Sequence, residues 1–263
     1  MTTSGKAGAT TENGMSRTIL EISGLHHRFV HNGDSRPVLR DLSLSVGRGE
    51  LVCLIGRSGC GKSPLLKIVA GFLKPAAGEC RLDGRLICRP GPDRCVVFQE
   101  DALFPWLTVR ENIGFGLTGG QWPRVQVDRE VERFLDLVGL LEYGDHLPRT
   151  LSGGMKQRVA LARVLIRSPE ILLMDEPFGA LDAQAREEMQ ELLLRLVRQR
   201  QQTILFVTHD VQEAVVVADR VLLLDRDAGL IREEMQVGLD RPRDRNDVRF
   251  HACCARLHQW LRV

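Results

Sequence analysis

The chain has 263 residues, with 36 Lys and Arg against 34 Asp and Glu, a net charge of +2. That length holds one large α/β domain or two small ones, and the near balance of charge argues against a nucleic-acid partner, which calls for a marked basic excess. The seven cysteines form no CxxC pair and no regular spacing, with Cys253 and Cys254 adjacent, so neither a zinc site nor a disulfide framework is indicated and a reducing cytoplasm is the simplest home.

Met1 to Arg17 is rich in Thr, Gly and Ser without an apolar run, and is expected to be a disordered leader rather than a signal peptide. Thr18 to Val46 alternates short apolar runs with turn signals such as His31-Asn32-Gly33-Asp34, predicting antiparallel strands and hairpins. His26, His27 and His31 are expected to be loop residues, since no carboxylate or cysteine pattern beside them supports a metal. Leu51 to Ile55 is a continuous apolar run, the mark of a strand buried on both faces. A glycine-rich turn follows it, then a helix over Leu65 to Phe72. Further helices are predicted over Val127 to Leu141, from about Met155 to Ile166, and over Ala183 to Arg200, whose arginines make a solvated face. Ile171 to Met174, Thr203 to Val207 and Val221 to Leu224 are further strand candidates. Strands alternating with helices imply a parallel, doubly wound sheet, which binds ligands beyond the carboxyl ends of its strands. The most apolar region, Ala214 to Leu224, is interrupted by Asp219 and Arg220, so no segment has the makings of a membrane span.

Chemistry concentrates at three of those strand ends. Gly56-Arg57-Ser58-Gly59-Cys60-Gly61-Lys62-Ser63 fits GxxxxGK[ST] between a strand and a helix. Glycines let successive N–H groups turn inward onto phosphate oxygens, and the helix start adds its dipole. Lys62 is placed to reach the β- and γ-phosphates and Ser63 to ligate Mg²⁺. Pro64 is unusual here: it has no N–H to offer a phosphate and disfavours the helical conformation at Ser63, although a first helical turn tolerates it. Asp175 and Glu176 follow four apolar residues, which puts Asp175 at the magnesium shell and Glu176 where it polarises a water as general base. His209 ends another buried strand on the same ligand edge, facing a γ-phosphate or the water. Leu151-Ser152-Gly153-Gly154 opens a helix and forms either an ordinary N-cap or a second anion site. One nucleotide needs one cradle, so a second implies contact with a partner chain's nucleotide.

In this order and spacing the motifs resemble those of ABC transporter nucleotide-binding subunits, from about Thr18 onward. LSGGMKQR at Leu151 to Arg158 looks like the family signature, Gln99 like the glutamine that senses Mg²⁺ and links hydrolysis to the membrane partner, Asp182 in Ala180-Leu181-Asp182 like the D-loop, His209 like the switch histidine, and Phe29 like the aromatic residue that stacks on adenine. The resemblance implies a P-loop NTPase (RecA-like) α/β fold. It predicts a mostly parallel sheet core, an antiparallel β subdomain and an inserted helical subdomain at about 100–165, within one domain spanning 18–263. It also implies ATP and Mg²⁺ as cofactors and catalytic roles for Glu176, His209, Gln99 and Lys62. The implied partners are a second such subunit (a homodimer sandwiching two ATP molecules), transmembrane permease subunits at the cytoplasmic face and, indirectly, an extracytoplasmic solute-binding protein, with no nucleic acid. The stretch 100–109 and the ending Arg241-Pro242-Arg243-Asp244-Arg245 are similar to the nitrate/sulfonate/taurine importer subfamily.

Two alternatives stand beside the importer. One is a soluble ABC ATPase. DNA-repair members carry a coiled-coil insertion for which the spacing leaves no room, translation-factor members carry two cassettes, and Phe104-Pro105-Trp106 favours an importer over a short cluster-assembly ATPase. The other is an ATP-binding regulatory subunit whose hydrolysis Pro64 impairs, a reading opposed by Glu176 and His209.

Overall fold

The computed structural model describes residues 18–31, 34–99, 102–120 and 122–262. The expected leader and the Asn32-Gly33 turn lie outside them. Two sheets organise the chain. A six-stranded sheet has the order β10 (Ile231–Gln236), β9 (Arg220–Leu224), β3 (Leu51–Ile55), β8 (Thr203–Val207), β7 (Ile171–Asp175) and β6 (Arg94–Val97). Its pairings are parallel throughout except for the β10 edge. The other sheet is antiparallel, in the order β2 (Asp34–Gly47), β1 (Thr18–His31), β4 (Ala77–Leu82) and β5 (Arg85–Leu86).

The parallel sheet divides the interior in two because side chains alternate faces along a strand. Leu51, Cys53 and Ile55 of β3 enter a core shared with helices α4 (Gly153–Leu165), α5 (Ala183–Arg200) and α6 (Val211–Val217). Val52 and Leu54 point the other way, into a core closed by the antiparallel sheet and α1 (Lys62–Val69). This double burial is why β3, β7 and β8 read as unbroken apolar runs.

Several bounds shift from the sequence reading. α1 starts at Lys62 rather than Leu65, because the glycine turn leads straight into the helix. The helix predicted over Val127 to Leu141 is α3, Arg124–Leu137, ended before Gly139, which takes φ +70°. His26, His27 and His31 sit in β1 rather than in a loop, His26 paired across to β4 and His27 and His31 to β2. α2 (Val109–Phe115) was not predicted, although Thr108 and Glu111 form a reciprocal capping box that is legible as T-x-x-E. Nor were β10 and α7 (Val248–Arg262), which close the chain.

Candidate active site

The phosphate loop turns because three of its residues are glycine. Gly59 and Gly61 take φ +78° and +112°, where an L side chain is strained, and a Cβ on Gly61 would meet Leu39 at 2.8 Å. The loop is held from within. The Lys62 ammonium, 7% exposed, donates to the Gly56 carbonyl at 2.7 Å and the Arg57 carbonyl at 3.3 Å. Burial pushes the Cys60 thiol up, with Lys62 opposing the shift. Pro64 is the third residue of α1, where a backbone N–H has no helical partner to lose. The first intrahelical bond, Leu65 N–H to the Gly61 carbonyl at 3.0 Å, forms beyond it. The helix therefore accommodates proline, and Ser63 keeps its helical conformation ahead of it.

Ser63 and Asp175 meet across the cleft, the hydroxyl donating to the carboxylate at 3.3 Å. Burial pushes the Asp175 carboxyl above its ordinary value of 3.8; the Ser63 hydrogen bond opposes this, Glu176 adds to it, and Lys62 opposes it again. Hydroxyl and carboxylate oxygens are the donors a hard cation such as Mg²⁺ takes, so the pair fits one. Gln99 lines the same cleft of about 510 Å³ with Ser63, Asp175 and Glu176, its amide beside the backbone of Gly179.

Glu176 takes a left-handed conformation at φ +48°, its N–H bonded to the Val207 carbonyl at 2.9 Å. Its carboxylate lies 3.1 Å from His209 Nδ1. Both line a cleft of about 410 Å³ with Ser58, Gly59, Gly61, Lys62, Ser63 and Pro64. The residues named from the ends of β3, β7 and β8 thus come together at one sheet edge, where a parallel sheet binds ligands.

Ser152, Gly154 and Asp182 line a separate cleft of about 380 Å³, with Tyr143, Arg158 and Glu188. Ser152 caps α4 by accepting from the Met155 N–H at 3.3 Å, and Asp182 caps α5 by accepting from the Ala185 N–H at 2.8 Å. Gln157, buried in α4, donates to the Pro177 carbonyl at 2.7 Å, tying the Ser152 helix to the residue after Glu176. Phe29, half exposed on β1 and edge-on to His27, lines neither cleft. The sequence reading passed over Thr208 and Asp210, which flank His209: Asp210 accepts from the Gln212 and Glu213 N–H groups and caps α6. An Asp following a strand and preceding an apolar run is the signal that marks such a cap.

A strand-to-helix phosphate loop, a metal-competent hydroxyl–carboxylate pair and a glutamate–histidine pair on one sheet edge define a nucleoside-triphosphate-binding cassette of the ATPase class. Comparison with known proteins agrees: the ABC transporter family profile matches residues 39–179, and the chain belongs to that family. It is 46% identical over 221 residues to the taurine import ATP-binding protein TauB of Roseobacter denitrificans, covering 84% of this chain and 82% of the relative. It is 47% identical over 214 residues to the nitrate import ATP-binding protein NrtD of Synechococcus elongatus, covering 80% and 78%. Among solved structures, the dimeric ATP-binding cassette MJ0796, bound to ADP and Pi in a post-hydrolysis state, superposes with a TM-score of 0.72 at 29% identity, over 83% of this chain and 98% of that one.

Proposed function

We propose that this chain hydrolyses ATP as the peripheral motor subunit of an ABC importer for a small oxyanion-bearing solute of the nitrate, sulfonate or taurine kind. The observation that carries the hydrolytic reading is the Glu176–His209 contact of 3.1 Å in the cleft that Lys62 and Ser63 also line. Glu176 there is placed to take a proton from a water, and His209 holds that carboxylate in one orientation. Lys62 exchanges its two loop carbonyls for phosphate oxygens, and Ser63, Asp175 and Gln99 would hold a magnesium ion through their oxygens. Such an ion, when bound, would offset phosphate charge, and positioning by the chain's own residues supplies most of the remaining rate. Phe29 is assigned to the adenine ring, which its exposed face on β1 leaves it free to meet.

Ser152, Gly154 and Asp182 face a different cleft, which supports a role for them, and for Gly153 between them in the chain, toward the nucleotide of a second copy. Permease subunits and, through them, a solute-binding protein complete the importer; among the described residues no helix is long and apolar enough to cross a membrane. The solute class comes from the named relatives and from the importer-like 100–109 stretch. Mg-ATP hydrolysis by the purified chain, compared with Glu176→Gln while nucleotide binding is followed on both, tests the reading. Loss of a general base lowers kcat by about 100-fold or more with binding retained. A parent that binds ATP but does not turn over, alone or with its permease, overturns it.

A further inference from the structure

The segment Arg241 to Arg245 takes no part in the chemistry above, yet its arginines grip the helices behind His209. Arg243 donates to the carbonyls of Val215 at 2.5 Å and Ala218 at 2.6 Å. Arg241 donates to the Val217 carbonyl and pairs with Asp219 at 2.9 Å. The carbonyls at the end of α6 have no helical donors of their own, and these guanidinium groups satisfy them. Arg245 reaches α5 instead, donating to Gln190 Oε1 at 2.9 Å and pairing with Glu187 at 2.8 Å.

From Gln190 a buried polar chain leads to the active site. Gln190, 3% exposed, donates through Nε2 to Glu213 Oε1 at 3.4 Å. Glu213, 5% exposed on α6, donates its backbone N–H to Asp210 Oδ1 at 3.1 Å. Thr208 Oγ1 in turn accepts from the Asp210 N–H at 3.0 Å. A carboxyl buried this deeply is costly unless its oxygens are bonded, so Gln190 is fixed as its partner and not as an incidental neighbour. Burial pushes the Glu213 carboxyl up, with the nearby Thr208 and Gln190 side chains opposing the shift. His209 lies between the two residues that the Thr208 hydroxyl joins, and it has no other tether than its contact with Glu176 among the described residues.

We propose that Thr208, Glu213, Gln190 and Arg245 form a positioning relay that fixes the turn from which His209 reaches Glu176. None of the four lines the nucleotide cleft. Their effect passes through His209, whose placement matters because misplacement by about 1 Å costs up to about 100-fold in rate. The proposal rests on the hydrolytic reading only where turnover is its readout.

The test is a double-mutant cycle. Thr208→Val keeps the shape and deletes the hydroxyl, Thr208→Ser restores it, and each is made in the parent and in His209→Ala. In the parent, Thr208→Val is expected to lower kcat about tenfold with ATP affinity unchanged, Thr208→Ser to recover most of it, and Arg245→Ala to give a smaller loss of the same kind. In His209→Ala, Thr208→Val should produce no further loss. An equal further loss there, or a loss carried by weaker ATP binding, overturns the relay.

A second readout needs no turnover. The His209 ring nitrogen shifts in NMR spectra should respond to Glu176→Gln in the parent and stop responding in Thr208→Val. If the response survives Thr208→Val, the relay is wrong. If it is lost in a parent that does not hydrolyse ATP, the relay stands and the hydrolytic reading falls.

Discussion

The chain carries two glycine-rich turns that each open a helix, one at residues 56–63 and one at 151–154, and they are finished to different degrees. The first has a buried lysine and bonds to itself: Lys62 is 7% exposed and satisfied by two carbonyls of its own loop. The second is exposed, its serine spent on capping α4, and its cleft shares no lining residue with the first. A cradle that is complete within one chain binds its anion alone. One that leaves its N–H groups on an open surface needs a second body to bring the anion to it. The contrast teaches that similar local chemistry becomes a binding site or an interface according to what encloses it.

The strongest way to break this comparison is Lys62→Ala. Nucleotide affinity of the isolated chain should fall by about 100-fold or more, since a buried cation opposite several phosphate charges is lost; calorimetric titration measures it. Ser152→Ala should leave that affinity within about twofold yet lower turnover and ATP-dependent pairing of two copies by about tenfold, assayed by analytical ultracentrifugation in the Glu176→Gln background. The same change removes a helix cap and should cost about 1 kcal/mol in denaturant unfolding. If Ser152→Ala weakens binding as Lys62→Ala does, the two turns serve one nucleotide and the contrast collapses.

A third variant sharpens the description of the first turn. Pro64→Thr supplies an N–H at the helix start, and one hydrogen bond to a charged oxygen is worth about 1.5 kcal/mol, or about tenfold in affinity. The unfolded chain gains freedom at the same time, so folding stability should drop by up to about 1 kcal/mol. Opposite signs in titration and unfolding of one variant would be the signature.

The smallest effect concerns Asp175. Burial holds its carboxyl above the ordinary 3.8, so the native state takes up a proton at a higher pH than the unfolded chain does. The sign follows: above the raised value the ionised group weakens the empty protein, and the penalty fades as pH falls through that value. Asp175→Asn should therefore raise the melting temperature slightly at neutral pH in the absence of nucleotide, with the gain shrinking on acidification, as thermal unfolding across pH would measure.

Much of this was legible beforehand because parallel strands buried on both faces leave unmistakable apolar runs, and the residues just past β3, β7 and β8 named the Lys62, Asp175–Glu176 and His209 positions. What escaped has a common cause. β6 and β10 are a short strand and an antiparallel edge with polar residues such as Glu233 and Glu234, so periodicity marks them weakly. α6 merged with β9 into one apolar region, separated only by Asp219 and the start of the next strand. The relay behind His209 joins residues 190, 208, 213 and 245, and no local pattern announces a contact that folding alone creates.

The self-bonded Lys62 also bears on which anions the phosphate loop can admit. An anion entering the loop must displace two carbonyl oxygens from the ammonium, one at 2.7 Å and one at 3.3 Å. A lone singly charged oxyanion gives back too little to make that exchange favourable, whereas a chain of phosphates replaces both and recruits the backbone N–H groups besides. The lysine thus works as a threshold. A small singly charged oxyanion on the side where ATP is consumed should therefore not occupy the loop in place of a nucleotide.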